Sequence, residues 1–165
     1  PPEDLQVEGW HFTSRPALIY GTQIAQVEVD TETGCVEVVS IHSAHDIGRA
    51  ISPVGCEGQI EGGVSIGVGW ALSEEMVFEN GAVTNPTLLD YKILSTLDMP
   101  EVHSILVEDP DPTGPFGAKG IGEPVLIPTA AAVANAIRDA VGVRIQDMPF
   151  SPDRVLAALQ KTASA

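Results

Sequence analysis

Three observations predict an α+β fold, with a mixed or antiparallel sheet and helices packed against it. Two β-branched runs, at 23–29 and 35–43, flank a turn. Helical spacing of apolar residues governs 53–73 and 128–141. Short strand-like runs and a turn-rich loop lie between those helices. The 165 residues fit one domain or part of one, with an irregular segment expected over 1–19. A composition of 44% hydrophobic and 19% charged residues suits a globular chain rather than a disordered one.

The elements follow in order. In Gln23–Val29, Ala25, Val27 and Val29 share one face, with Gln26 and Glu28 on the other. Asp30–Gly34 reads as a turn, and Cys35–Ser43 resumes as a strand, so the pair predicts a β-hairpin. Ser52 is a good N-cap and Pro53 a good first helical residue. Glycines at 55, 58, 62, 63, 67 and 69 each cost the helix that follows up to ~1 kcal/mol against alanine. A buried helix pressed against another backbone accounts for that load. Ile60, Val64, Gly67, Val68, Ala71 and Leu72 mark its inner face.

Asn80-Gly81 predicts a short hairpin within 75–84. The run 88–99 is open between helix and loop, His103–Glu108 reads as a strand, and 109–122 as a long loop. A helix over about 128–141, buried on most sides, is expected to end at Gly142. A short strand over Arg144–Gln146 and a last helix capped by Ser151-Pro152, running to about Gln160, complete the chain.

Net charge is −15, from 23 acidic and 8 basic residues, which repels a phosphate backbone and argues against nucleic-acid binding. No basic cluster suits an anionic membrane, and no run is apolar enough to span one. Cys35 and Cys56 form no metal motif, so two buried thiols in a reducing, cytoplasmic compartment are expected. His11, His42, His45 and His103 are scattered, and the spacing of His42 and His45 puts them on opposite strand faces. The start, Pro1-Pro2-Glu3-Asp4, lacks a leader pattern and an initiator Met, which suggests a processed or truncated piece.

Residues 117–123, Gly-Ala-Lys-Gly-Ile-Gly-Glu, carry the strongest chemical signal. The three glycines let backbone approach a bulky partner closely. Lys119 is the only Lys or Arg between Lys92 and Arg138. Glu123 arrives at the edge of an apolar segment, where it is either a helix-start acid or, if buried among Gly, Ile and Pro, a general base. Gln59, within Gly58-Gln-Ile-Glu-Gly-Gly63, can donate and accept toward a polar ligand, or stand as a helix-surface amide. Glu61 reads as an ordinary exposed acid. The serine nucleophile elbow, the P-loop and the dinucleotide fingerprint are absent. A phosphate-binding loop before a helix is a rival reading that the acidic loop end opposes.

Gly117-Ala-Lys-Gly-Ile-Gly-Glu123-Pro124 resembles the active-site motif of the molybdenum hydroxylases, the xanthine oxidase and aldehyde oxidoreductase family. Ala44-His-Asp-Ile-Gly-Arg-Ala-Ile-Ser-Pro53 is similar to the family's Asp-x-Gly-x-x-x-Asn-Pro segment, with Ser52 in place of Asn. Gly58–Gly63, Gly67–Leu72, Asp90–Lys92, Pro112–Phe116, Ile127–Ala130, Ala134–Ile137 and Pro152-x-x-Val155-Leu156 continue the ordered match over roughly 20–160. Val125 replaces a common second Pro, and the family's upstream glycine-rich cofactor motif has no counterpart. The resemblance implies the C-terminal part of a molybdopterin-binding subunit. It implies Glu123 as the general base of a hydroxylation that draws oxygen from water and acts on an aldehyde or N-heterocycle. It places Gln59, Gly117, Ala118, Lys119, Gly120 and Gly122 beside a molybdenum–pyranopterin cofactor, in its simple or cytosine dinucleotide form. Because the pterin holds the metal, no protein ligand to it is expected. The implied partners are the rest of the molybdenum subunit and iron–sulfur and FAD modules. A non-catalytic scaffold of the same fold is the alternative, with Glu123 only starting a helix. In a partial subunit, the glycine-rich helix and the helix after Glu123 are the expected docking faces.

Overall fold

A computed structural model of the chain describes residues 7–10, 12 and 15–163. His11 lies outside the described residues, as do parts of the 1–19 segment and the C-terminal tail. Strands β1 (Gly21–Val29) and β2 (Val36–Asp46) pair antiparallel, with a bulge between Gln26 and Val27. The β-branched runs and the intervening turn thus form the expected hairpin. A short hairpin, β3 (Phe78–Glu79) and β4 (Ala82–Val83), turns through Asn80 and Gly81, both at positive φ. Strand β5 (Glu101–Val107) lies parallel to β2, so the main sheet is mixed, with order β1-β2-β5.

A parallel pair needs a crossover, and α1 (Pro53–Leu72) supplies it. Ser52 Oγ accepts from the Gly55 N–H at 3.3 Å, and Pro53 opens the helix, as the sequence predicts. Helix α2 (Thr129–Val141) ends at Gly142 in the left-handed region, and α3 (Pro152–Ala163) closes the fold. The core joins Ile41 of β2 and Ile60, Val64 and Val68 of α1 to Val125, Val133, Ile137, Phe150 and Val155. Ala25, Val27 and Val29 pack against it while Gln26 and Glu28 face outward.

The glycine-rich face of α1 does press on another segment. A Cβ on Gly63 would sit 2.6 Å from Val125 Cβ, and one on Gly67 would sit 2.4 Å from Thr129 Cβ. These notches seat the stretch that directly follows Glu123.

Four expectations are corrected. Arg144–Gln146 forms no strand; the segment runs irregularly between Gly142 and α3, with Arg144 and Gln146 exposed. Helix α2 is buried on one side only, through Thr129, Val133 and Ile137, because the alanines around it are small enough to lie at the surface. It exposes no large apolar side chain, so of the two proposed docking faces only α1 presents one, through Val54, Ile66 and Trp70. Neither thiol is buried: Cys35 is exposed at the strand entry after the turn, and Cys56 is half-buried in the first turns of α1.

Candidate functional site

Two sequence segments that are 63 residues apart meet in space. Gln59 is exposed on α1, and its Oε1 lies 3.7 Å from where a Cβ on Gly122 would stand. Among the described residues, Gly58 and Gly62, one residue before and three after Gln59, have no atom within 4 Å of a built Cβ, and Gly120 has only Ile19 Cδ1 at 3.9 Å. Nothing among the described residues therefore requires glycine at these positions. Each helical one still costs roughly 1 kcal/mol relative to alanine. Bare backbone beside a donor–acceptor amide is a cradle for a bulky polar group.

The first half of the 117–123 loop behaves differently. Gly117 is at positive φ, and a Cβ on it would meet Pro110 Cβ at 2.8 Å. Its carbonyl would lie 2.2 Å from a Cβ on Gly48, an approach only glycine permits. Ala118 N–H donates to Pro115 O at 3.0 Å, and Lys119 N–H to Ile47 O at 2.9 Å. Gly117 and Lys119 thus hold the loop against the residues that follow β2, Ala118 closes its turn on Pro115, and Gly120 and Gly122 border open space among the described residues.

The Lys119 ammonium is committed within the chain. Nζ lies 2.5 Å from Asp46 Oδ2 and 3.6 Å from Asp109 Oδ2, with the Lys119 and Asp46 side chains only 6% and 7% exposed. Burial pushes the Asp46 carboxyl upward, but the Lys119 hydrogen bond, the Gly48 N–H at 2.9 Å and the lysine charge outweigh it and hold the group below the ordinary carboxylate range. The Asp46 hydrogen bond raises Lys119 above the ordinary lysine value, against burial.

A depressed carboxyl contributes stability above its unfolded pKa, about 3.9, and loses it as pH falls through the folded value. Thermal unfolding should therefore show a Tm gap between the native chain and Asp46→Asn that is steady above about pH 5 and narrows below about pH 4. A gap independent of pH would contradict the ion pair.

Glu123 opens a three-residue 3-10 turn, Glu123–Val125, and is exposed. Of the two readings left open for it, burial among its neighbours does not occur within this chain: Ile121 and Val125 pack on the core while the carboxylate stays outside. It does not start α2, which begins at Thr129. A turn this short offers no helix N-terminus for an anion, which removes the structural basis for a phosphate loop. Val125, two residues on, is fully buried, and its carbonyl accepts from Gln23 Nε2 at 2.9 Å.

Sequence reasoning missed this polar support beneath the loop. Gln23 Nε2 also donates to Ser43 Oγ at 2.9 Å, and Ser43 Oγ lies 3.0 Å from His45 Nε2. His45 is fully buried, and burial lowers its pKa, favouring the neutral ring. The inward parity of Gln23, Ser43 and His45 on adjacent strands was the available signal. Asp111 was also missed. Its carboxylate accepts from Thr113 N and Oγ1 at 2.7 and 2.6 Å and orders the long loop. His42 faces outward and stacks on His103, ring centroids 4.2 Å apart, so it and His45 do lie on opposite faces. No group of three or more His, Cys, Asp or Glu residues converges among the described residues.

The model of a molybdopterin cofactor-binding domain matches residues 3–100 of the chain. The chain belongs to this molybdenum hydroxylase family. It is similar to a putative xanthine dehydrogenase molybdenum-binding subunit of Escherichia coli K12, 41% identical over 145 residues, covering 87% of this chain and 19% of that one. A match of that length within 165 residues necessarily includes both Gln59 and the 117–123 loop. The fold superposes on quinoline 2-oxidoreductase from Pseudomonas putida 86 with TM-score 0.78 and 37% identity, covering 82% of this chain and 18% of that one. The aldehyde oxidoreductase of Desulfovibrio gigas gives TM-score 0.79 and 37% identity, over 86% and 15%. The chain thus spans about a fifth of the first relative's length. Its relatives are molybdenum oxidoreductases, and its mixed sheet and helices are theirs. No helix among the described residues is long and apolar enough to cross a membrane.

Proposed function

We propose that the chain forms one wall of the active centre of a molybdenum hydroxylase that oxidises an aldehyde or N-heterocyclic carbon, with water as the oxygen source and Glu123 as general base. The observation that carries this reading is the meeting of Gln59 with Gly122 beside glycines that the chain itself leaves uncovered. These residues fit a pterin: an amide can both donate to and accept from its ring edges, and bare glycines admit its bulk. When bound, the pterin-held molybdenum, in the simple or cytosine dinucleotide form, supplies the two-electron redox chemistry.

The chain supplies position. Gln59, Gly120 and Gly122 line the approach, and the backbones of Gly117, Ala118 and Lys119 hold the loop in register. Glu123 holds its carboxylate one residue beyond Gly122, where it can take a proton in the reaction. Exposed in this chain, it acquires its dry surroundings from the rest of the molybdenum subunit. Iron–sulfur and flavin modules remove the electrons, and a cytoplasmic location accords with this assembly.

Gly122→Val provides the test. Its backbone, at φ −67, accepts a side chain, and the nearest atom is 3.7 Å from the new Cβ, so the chain should fold unchanged. In the assembled enzyme, pterin and molybdenum content should fall by at least about tenfold, the effect of ~1.4 kcal/mol of obstructed binding. Full cofactor content would contradict the wall assignment.

One observation favours a second reading, a scaffold without catalysis: Glu123 is exposed at the first residue of a 3-10 turn. On that reading Gly122→Val leaves cofactor content untouched, which separates the two.

A further inference from the structure

We infer that Gln23, on β1, is a positioning residue that sets where Glu123 stands; the inference rests on the proposed role of Glu123. Val125 O can only accept, so the nitrogen of the Gln23 amide, not its oxygen, must face it. That single NH2 makes two bonds, to Val125 O and Ser43 Oγ, each 2.9 Å long. The other end of the amide gains nothing: Gln23 Oε1 is buried and has no partner among the described residues. A buried acceptor left unpaired opposes folding, so a glutamine here costs stability that an apolar side chain of similar shape would not. What the amide delivers in exchange is a fixed carbonyl two residues from the acid.

The geometry makes that carbonyl a sensitive point. The Val125 side chain is fully buried against the Gly63 notch, and Thr129 Oγ1 bonds the same carbonyl only weakly, at 3.4 Å. Packing therefore fixes how deep the turn sits, and Gln23 fixes its rotation about that anchor. Glu123 and Pro124 complete the same 3-10 turn, so a rotation at Val125 swings the carboxylate directly. Ser43 and His45 stiffen the Gln23 end from β2, through the 3.0 Å contact between Ser43 Oγ and His45 Nε2. A general base is effective only within hydrogen-bond reach of its proton, so a swing near 1 Å suffices to matter.

The test compares three variants of the assembled enzyme. Gln23→Met keeps length and removes both donors. Val38→Ala loosens the core face of the same sheet without touching the Gln23 bonds. Glu123→Gln tests the underlying role of the acid. Gln23→Met should lower kcat roughly tenfold to a hundredfold, with KM and molybdenum content unchanged. Amide hydrogen exchange across 121–127 should accelerate in Gln23→Met and not in Val38→Ala, even where both lower Tm. Two results would overturn the inference while Glu123→Gln is inactive: kcat of Gln23→Met no lower than that of Val38→Ala, or equal exchange across 121–127 in both. If Glu123→Gln retains full activity, the reading beneath the inference fails instead, whatever Gln23→Met does.

Discussion

Glu123→Gln in the assembled enzyme should lower kcat by about 10²–10⁴-fold, the usual worth of a positioned acid–base group. Glutamine keeps the size of the side chain and its hydrogen-bonding capacity but cannot take up a proton at neutral pH. The substitution should leave the fold intact, because Glu123 is exposed and the turn is held by Val125 and its carbonyl. Pterin and molybdenum content should also stay at the native level, since the proposed cradle is Gln59 and the open glycines, not the acid. Steady-state kinetics on metal-matched preparations checks this. A variant with native kcat would assign the acid to the turn alone. A variant that loses cofactor would make it part of the binding wall.

Gly67→Leu should strongly destabilise the chain. A Cβ at this position meets Thr129 Cβ, Oγ1 and Cγ2 at 2.4, 2.7 and 2.8 Å, and Thr129 is fully buried at the start of α2. The contact is near the backbone, so no flexible side-chain end can move aside. Overpacking of this kind costs about 1–3 kcal/mol for modest insertions, and a leucine belongs at or above the upper end. The gain of roughly 1 kcal/mol from replacing glycine in a helix does not offset it. For a chain of this size each kcal/mol shifts Tm by about 2–4 °C. Gly62→Ala, five residues away, should change Tm in the opposite direction, because nothing among the described residues lies within 4 Å of its Cβ. Thermal unfolding of the two variants would show whether α1 spends its glycines on two different purposes. Equal and small effects would contradict that division.

That division also explains what could be read from sequence. Ser52-Pro53, Asn80-Gly81 and the alternation around Ala25, Val27 and Val29 are local signals, and each formed the element it predicts. The helical load of glycine implied a close packing partner, which proved to be the stretch from Val125 to Thr129. Local reading failed where a distant partner decides. Arg144–Gln146 has the residues of a strand but pairs with neither edge of the β1-β2-β5 sheet. Lys119 stood out as the sole cation of its stretch, but sequence could not show that Asp46, from the end of β2, holds its ammonium. Gln23 looked like one polar residue among several on β1 until Val125, 102 positions away, came within hydrogen-bond distance. The sequence left Glu123 open between a helix-start acid and a buried base; Ile121 and Val125 face the core of this chain, and the acid stays at its surface.

An experimental structure of the assembled enzyme is the most direct test. The account predicts that the Gln59 amide and the bare backbone at Gly120 and Gly122 contact the pterin, and that the Glu123 carboxylate lies within hydrogen-bond reach, about 3 Å, of the reacting centre or one water from it. A structure in which Glu123 points into bulk solvent, with Gln59 and Gly122 facing away from the cofactor, would contradict it.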